Sequence, residues 1–268
     1  SSNTIVSLLY YNNELIVSTD SNLLRFTNNN FSSINDTIRG LLIENTEGDL
    51  VVADGRDFVK NTMYILSDDS IIQQENILGC TINTGITLDD LGNIWIIKNT
   101  FYAFDVVKFD GENFQLFNDL NGLITSGREG ISITNKEGTV FISSLDGIYK
   151  YTNGFWQLEY STFYQDYDII NGSDTVKHSV SALGWDSNGI LFGGSGTGPL
   201  IYLTNNSSLW EFVHLTDLPS PITLFHISKY NTNLVYAGTL DGFIIIDKNC
   251  LGINNFSIKE KCREDGIK

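Results

Sequence analysis

An all-β fold, a ring of six four-stranded blades around a central channel, is what this sequence predicts, and three observations predict it. Aromatic residues make up 12% of the chain, Gly is frequent at 24 residues and Pro is held to 3, a bias toward strands and turns. A short apolar run recurs six times, as Leu15-Ile16-Val17, Leu50-Val51-Val52, Ile94-Trp95-Ile96, Val140-Phe141-Ile142, Ile190-Leu191-Phe192 and Leu234-Val235-Tyr236, at spacings of 35, 44, 46, 50 and 44 residues. Three further strand-like runs surround each copy in a constant order.

The elements follow in that order. A first apolar stretch precedes each copy: Ile5 to Leu9, Ile38 to Ile43, Ile86 to Leu88, Ile131 to Ile133, Val180 to Leu183, and Ile222 to Ile227. A third strand comes after it, as in Leu23 to Phe26, Ile148 to Tyr151 and Phe243 to Ile246. A fourth, aromatic-led and more polar, closes each unit: Phe31 to Ile34, Ile71 to Gln74, Phe114 to Phe117, Trp156 to Glu159, Trp210 to Val213 and Phe256 to Lys259. Asn12-Asn13, Gly92-Asn93, Asp110-Gly111, Asn153-Gly154 and Asp241-Gly242 supply hairpin turns. The first and second strands are apolar on both faces and call for cover on both sides; the fourth alternates and belongs at an edge. Such sheets are stable only when stacked on others of the same kind, and units of about 45 residues stacked radially form a β-propeller. The expected organisation is one propeller domain over 1–268, with blades at 4–36, 37–77, 84–118, 129–161, 178–214 and 221–260. Two sandwich domains are the competing architecture, but they do not repeat one four-strand order six times.

Charge narrows the function classes. Lys plus Arg number 16 against 32 Asp plus Glu, so the net charge is −16, which repels phosphate backbones and anionic lipid and argues against nucleic-acid partners. The longest pure apolar run, Phe243 to Ile246, is far short of the roughly 20 residues of a membrane helix, so no membrane insertion is expected. Ser1-Ser2-Asn3 does not read as a signal peptide, which leaves room for one already removed.

Residues 114–156 carry a resemblance. The run Phe114 to Leu123, then Ile131-Ser132-Ile133-Thr134-Asn135-Lys136-Glu137-Gly138 and Thr139 to Tyr149, resembles the two-component-regulator propeller repeat. Asp89-Asp90-Leu91-Gly92-Asn93-Ile94-Trp95-Ile96 copies its second half, Thr216 to Ile222 its first half, and Gly238-Thr239-Leu240-Asp241-Gly242-Phe243 its end. The resemblance implies a propeller of extracytoplasmic sensor type, hence an extracytoplasmic or secreted location. Propeller lyases of the virginiamycin type are similar in fold and use a channel histidine, which makes His226, in an inner first strand, the one catalytic candidate.

Other motifs read as structure. Gly193-Gly194-Ser195-Gly196-Thr197-Gly198 looks like a phosphate cradle, but a strand follows it and no Lys is near, so a loop is expected. His178, His214 and His226 fall on separate elements without zinc spacing, and Asp68-Asp69 and Asp89-Asp90 lack a calcium-loop pattern and suit turns. No metal and no cofactor is expected. Of three cysteines, Cys80 reads as a buried thiol, whereas Cys250 and Cys262 flank the last strand and form a disulfide candidate in an oxidising compartment. Sequons such as Asn30 and Asn35 occur at about the chance rate.

In a propeller the connections from second to third strands and from blade to blade open on one face. Long insertions of that set are Asp54 to Asn61, Glu75 to Gly85, Asn118 to Gly130 and Tyr160 to His178. The last holds Tyr164, Asp166, Tyr167 and Asp168, whose rings and carboxylates suit stacking on a sugar or contact with a cationic protein partner. Arg56 and Arg128 fall in sister loops. The reading is a non-enzymatic module that binds a carbohydrate or protein on this face. The alternatives are a propeller lyase or hydrolase using His226, and a structural module of a surface, secreted or particle assembly, in which an oligomer is expected.

Overall fold

The computed structural model describes residues 4–57, 60–77, 82–99, 103–123, 130–144, 147–161, 180–185, 190–195, 200–203, 211–213, 222–227, 234–239 and 242–247. The chain is all-β, its helical structure among these residues being a single 3-10 turn, Asp119–Asn121. It divides into two compact units, Ser1–Thr139 and Val140–Lys268.

In the first unit, one sheet is β1 (Ile5–Tyr11), β2 (Glu14–Thr19), β3 (Leu23–Thr27) and β4 (Asn30–Asn35). The next is β5 (Leu41–Glu44), β6 (Leu50–Asp57), β7 (Lys60–Ser67) and β8 (Ser70–Asn76), and the third is β9 (Ile82–Leu88), β10 (Ile94–Asn99), β11 (Phe104–Phe109) and β12 (Phe114–Phe117). Each pairs antiparallel in simple chain order. β13 (Gly130–Lys136) opens a fourth sheet that runs on through β14 (Thr139–Ser144), β15 (Gly147–Thr152) and β16 (Phe155–Ser161). The second unit also holds β17 (Val180–Trp185), β18 (Leu191–Ser195), β19 (Leu200–Leu203) and β20 (Glu211–Val213), followed by β21 (Ile222–Ile227), β22 (Leu234–Thr239) and β23 (Gly242–Asp247). That last sheet shows three strands; the expected fourth, Phe256 to Lys259, lies outside the described residues, so six complete blades are not reached within them.

Packing in the first unit follows one rule. The middle residue of one triplet meets the outer two of the next. Ile16 therefore joins Leu50 and Val52 in one core, with Tyr11, Leu23, Leu42 and Leu66. Val51 joins Ile94 and Ile96 in another, with Ala53, Met63, Val107 and Phe109. These core positions sit in close-packed layers, each of the larger side chains contributing on the order of 2 kcal/mol of burial.

Several expectations need correcting. The first strand of the second unit of sequence begins at Leu41, not Ile38: Gly40 has φ +150°, and a Cβ there would collide with the Ala53 carbonyl, so the chain bends before pairing starts. The insertions at Asp54–Asn61 and Glu75–Gly85 are shorter than expected, because β6 and β7 continue pairing to Asp57 and Lys60, and β9 starts at Ile82. Gly193 to Ser195 of the glycine run belong to β18 rather than to a loop. β1 is not covered on both faces either: Leu8 and Tyr10 are 54% and 68% exposed.

Candidate functional site

The two ends of the sheets in the first unit differ in chemistry. At the end carrying the first-to-second-strand turns, side chains are consumed in locking the backbone. Asp89 is the fullest case. Its carboxylate accepts from the backbone N–H of Leu91 (3.0 Å) and Asn93 (2.9 Å), from Asn93 Nδ2 and from Trp95 Nε1 (2.8 Å). Burial works to raise this carboxyl, but those bonds outweigh it and hold its pKa below the ordinary value. Asn45 repeats the device with Glu47 and Asp49. Neighbouring turns then touch: Tyr11 donates to the Gly48 carbonyl (2.8 Å), and Asn135 Nδ2 to Asp90 Oδ1 (2.9 Å). Asp89-Asp90 is thus turn chemistry, as its sequence suggested.

The opposite end carries the second-to-third-strand and sheet-to-sheet connections. Here Gly130 donates to Asn99 Oδ1 (3.0 Å), and its carbonyl accepts from Asn99 Nδ2 (2.8 Å) and Thr84 Oγ1 (2.9 Å). Between the second and third sheets the apolar core gives way at this end to a polar layer. Lys98 is 1% exposed although it ends the apolar run of β10. Its partners in register are Asn83 of β9 and Asp105 of β11. Asn61 and Thr62 of β7 are also buried, at 5% each. Gly55 has no side chain, and the space a Cβ would take is filled by the Asn83 and Asn61 amides. Both polar atoms of the Asn83 side chain are shut from solvent and meet no hydrogen-bond partner. Asp105 is raised above the usual carboxylate range, first by burial and also by the charge of Asp119, with Lys98 opposing both.

Arg56 is the one expected binding residue whose backbone is described; it lies in β6 at this same end, and its side chain is outside the described residues, as are Arg128, Tyr164, Asp166, Tyr167 and Asp168. His226 lies in β21, a first strand, opposite Tyr236; its side chain, like Cys80, Cys250 and Cys262, is outside the described set. Asn61, Asn83, Lys98 and Asp105 were missed. The signal was present: the positions equivalent to Lys98 in the other repeats are Thr19, Asp54, Ser144, Gly194 and Gly238, so a long cation stands where small or acidic residues recur.

No family model and no curated protein matches the sequence. Solved structures do match in fold. The extracellular domain of a hybrid two-component system, BT4673 of B. thetaiotaomicron, superposes with a TM-score of 0.68 at 14% identity, over 91% of this chain and 32% of that one. A catalytically inactive virginiamycin B lyase from Staphylococcus aureus, solved with quinupristin, gives 0.67 at 10% identity over 97% and 86%. YCF48 bound to D1 peptide gives 0.64 at 12% over 91% and 77%. These likenesses define the class, a β-propeller fold of four-stranded antiparallel sheets, and bear out the resemblance read from residues 114–156 at the level of fold. The chain spans about a third of the length of the two-component-system domain. No helix among the described residues is long and apolar enough to cross a membrane.

Proposed function

We propose that the chain is a six-bladed, single-domain propeller with a central channel, placed outside the cytoplasm, that binds a carbohydrate or protein partner on its long-connection face without catalysing a reaction. The observation that supports this is the asymmetry of the two sheet ends: turn-locking bonds absorb the polar groups at one, whereas Asn61, Thr62, Asn83, Lys98 and Asp105 gather at the other, beside Arg56. YCF48 was solved with a peptide bound, which supports a polypeptide partner for this fold. The test is a screen of the whole chain against a displayed peptide library and a glycan array. Binders should lose at least about tenfold in affinity with Arg56→Ala, or with Tyr164→Ala and Asp166→Ala together, and keep it with Leu91→Ser at the opposite turns. Binders indifferent to the first set and sensitive to Leu91→Ser would reverse the reading.

The lyase reading rests on His226 in a first strand and on the lyases of similar fold. Its assay is turnover of quinupristin by the chain and its loss in His226→Ala; an inert wild-type chain sinks it.

A further inference from the structure

Lys98, Asn83 and Asp105 form a row across three strands at the polar end of the second and third sheets. Register makes Asn83 and Asp105 the direct neighbours of Lys98 on either side. Residues opposed in this way share a sheet face, with Cβ atoms about 4.5–5.5 Å apart. An amine, a carboxamide and a carboxyl are therefore within side-chain reach of one another, the first two shut from solvent and the third half-buried. Lys98 is 1% exposed, and the Asn83 amide atoms are buried without a hydrogen-bond partner. The facing Gly55 is where the Asn83 side chain packs, so that amide is held in place rather than free to turn outward.

An amine and a carboxamide do not react in water, because the amine is protonated and the amide is stabilised and unactivated. Burial changes the first condition. In a low-dielectric layer, an ammonium beside a carboxylate can hand its proton across and leave a neutral pair. Asp105 tends in that direction, since burial pushes its carboxyl up. Such a transfer would leave a nucleophilic amine next to a carboxylic acid. Fixed neighbours also gain effective molarities on the order of 10⁵ M or more.

We propose that Lys98 and Asn83 form an intramolecular isopeptide cross-link between β10 and β9, with Asp105 as the proton carrier. Lys98 Nζ attacks Asn83 Cγ; the Nζ–Cγ bond forms and the Cγ–Nδ2 bond breaks. The proton released from Nζ passes through the Asp105 carboxyl to Nδ2, which leaves as ammonia. Nothing is oxidised or reduced, and no co-reactant is consumed. The inference does not depend on what the long-connection face binds.

Mass spectrometry of the purified, folded chain tests it. The intact protein should be lighter than its sequence mass by one ammonia. Trypsin should fail to cut after Lys98, so that residues 61–108 emerge as one peptide carrying the same loss, with fragmentation placing the bond between Asn83 and Lys98. Lys98→Met and Asp105→Ala should each restore the full mass. A wild-type chain at full sequence mass overturns the proposal. So does an ammonia loss with normal cleavage after Lys98, the signature of a succinimide at a site such as Asn153-Gly154, or a bond that maps to Asn61 instead. If Asp105→Ala does not fold, the wild-type tryptic map decides alone.

Discussion

Asp89 illustrates how one residue holds a local structure. Its carboxylate is the shared acceptor for two backbone N–H groups, an amide and an indole, all buried except the N–H of Leu91. Asp89→Ala leaves those donors without an acceptor, and denaturant unfolding should show a loss of about 3 kcal/mol. The pH dependence has a definite sign. A carboxyl whose pKa is depressed by folding adds stability above its unfolded value and loses it as pH falls through the folded one, so the wild-type midpoint should drop on acidification below about pH 4. Asp89→Asn should flatten that acid limb; an unchanged limb would mean other carboxylates carry it. Asp105 has the opposite sign. Its raised pKa means that its stabilisation is present below the unfolded value and is lost as pH rises through the folded one. Gly55 matters through volume rather than dihedral freedom: Gly55→Ala pushes a methyl into the Asn83 and Asn61 amides and should cost about 1–3 kcal/mol in the same unfolding assay.

At the scale of elements, the hairpins depend on residues that accept positive φ. Asn12 and Asn13 (φ 50° and 64°) and Asn153 and Gly154 (55° and 88°) suit this geometry, while Glu137 at 49° does so against its own steric preference. Glu137→Asn should therefore raise the melting temperature, by the equivalent of roughly 0.5–1 kcal/mol, and a fall would show that the Glu side chain has an unseen stabilising role. The second strands carry the packing. Trp95 is fully buried, stacks on Phe117 at 5.3 Å and lies under Lys108 Nζ, 5.6 Å from its ring centroid. Phe141 takes the equivalent place in its own repeat, beneath Lys150 and edge-on to Trp185. Fourth strands sit at sheet edges with apolar side chains in water, Phe31 and Phe155 at about 60% exposure, as their alternating pattern required.

For the whole molecule, charge is the broadest lever. A net charge of −16 works against compaction, and the ion pairs of Arg25 with Glu14 and Asp69 answer only a small part of it. Raising ionic strength from about 0.01 M to about 0.15 M shortens the Debye length from roughly 30 Å to 8 Å and should raise the thermal midpoint. A midpoint insensitive to salt would show that the acidic groups are already compensated locally.

The repeated triplets settled strand order, sheet membership and the position of the edges, because a period of 2 and a two-sided apolar run leave few ways to bury a strand. Val140-Phe141-Ile142 and Ile222 to Ile227 fell where their pattern put them. The start of β5 did not, since the close approach of Gly40 to the Ala53 carbonyl is a contact between distant segments that local pattern does not record. The same holds for the polar layer. Nothing in the local pattern marks Lys98 as buried; only the stacking of the third sheet on the second buried it, and only register set it between Asn83 and Asp105. Periodicity along the chain is local and so is written in the residues, whereas which side chains meet across a closed layer depends on the distance between sheets, and that exists only once the chain has folded.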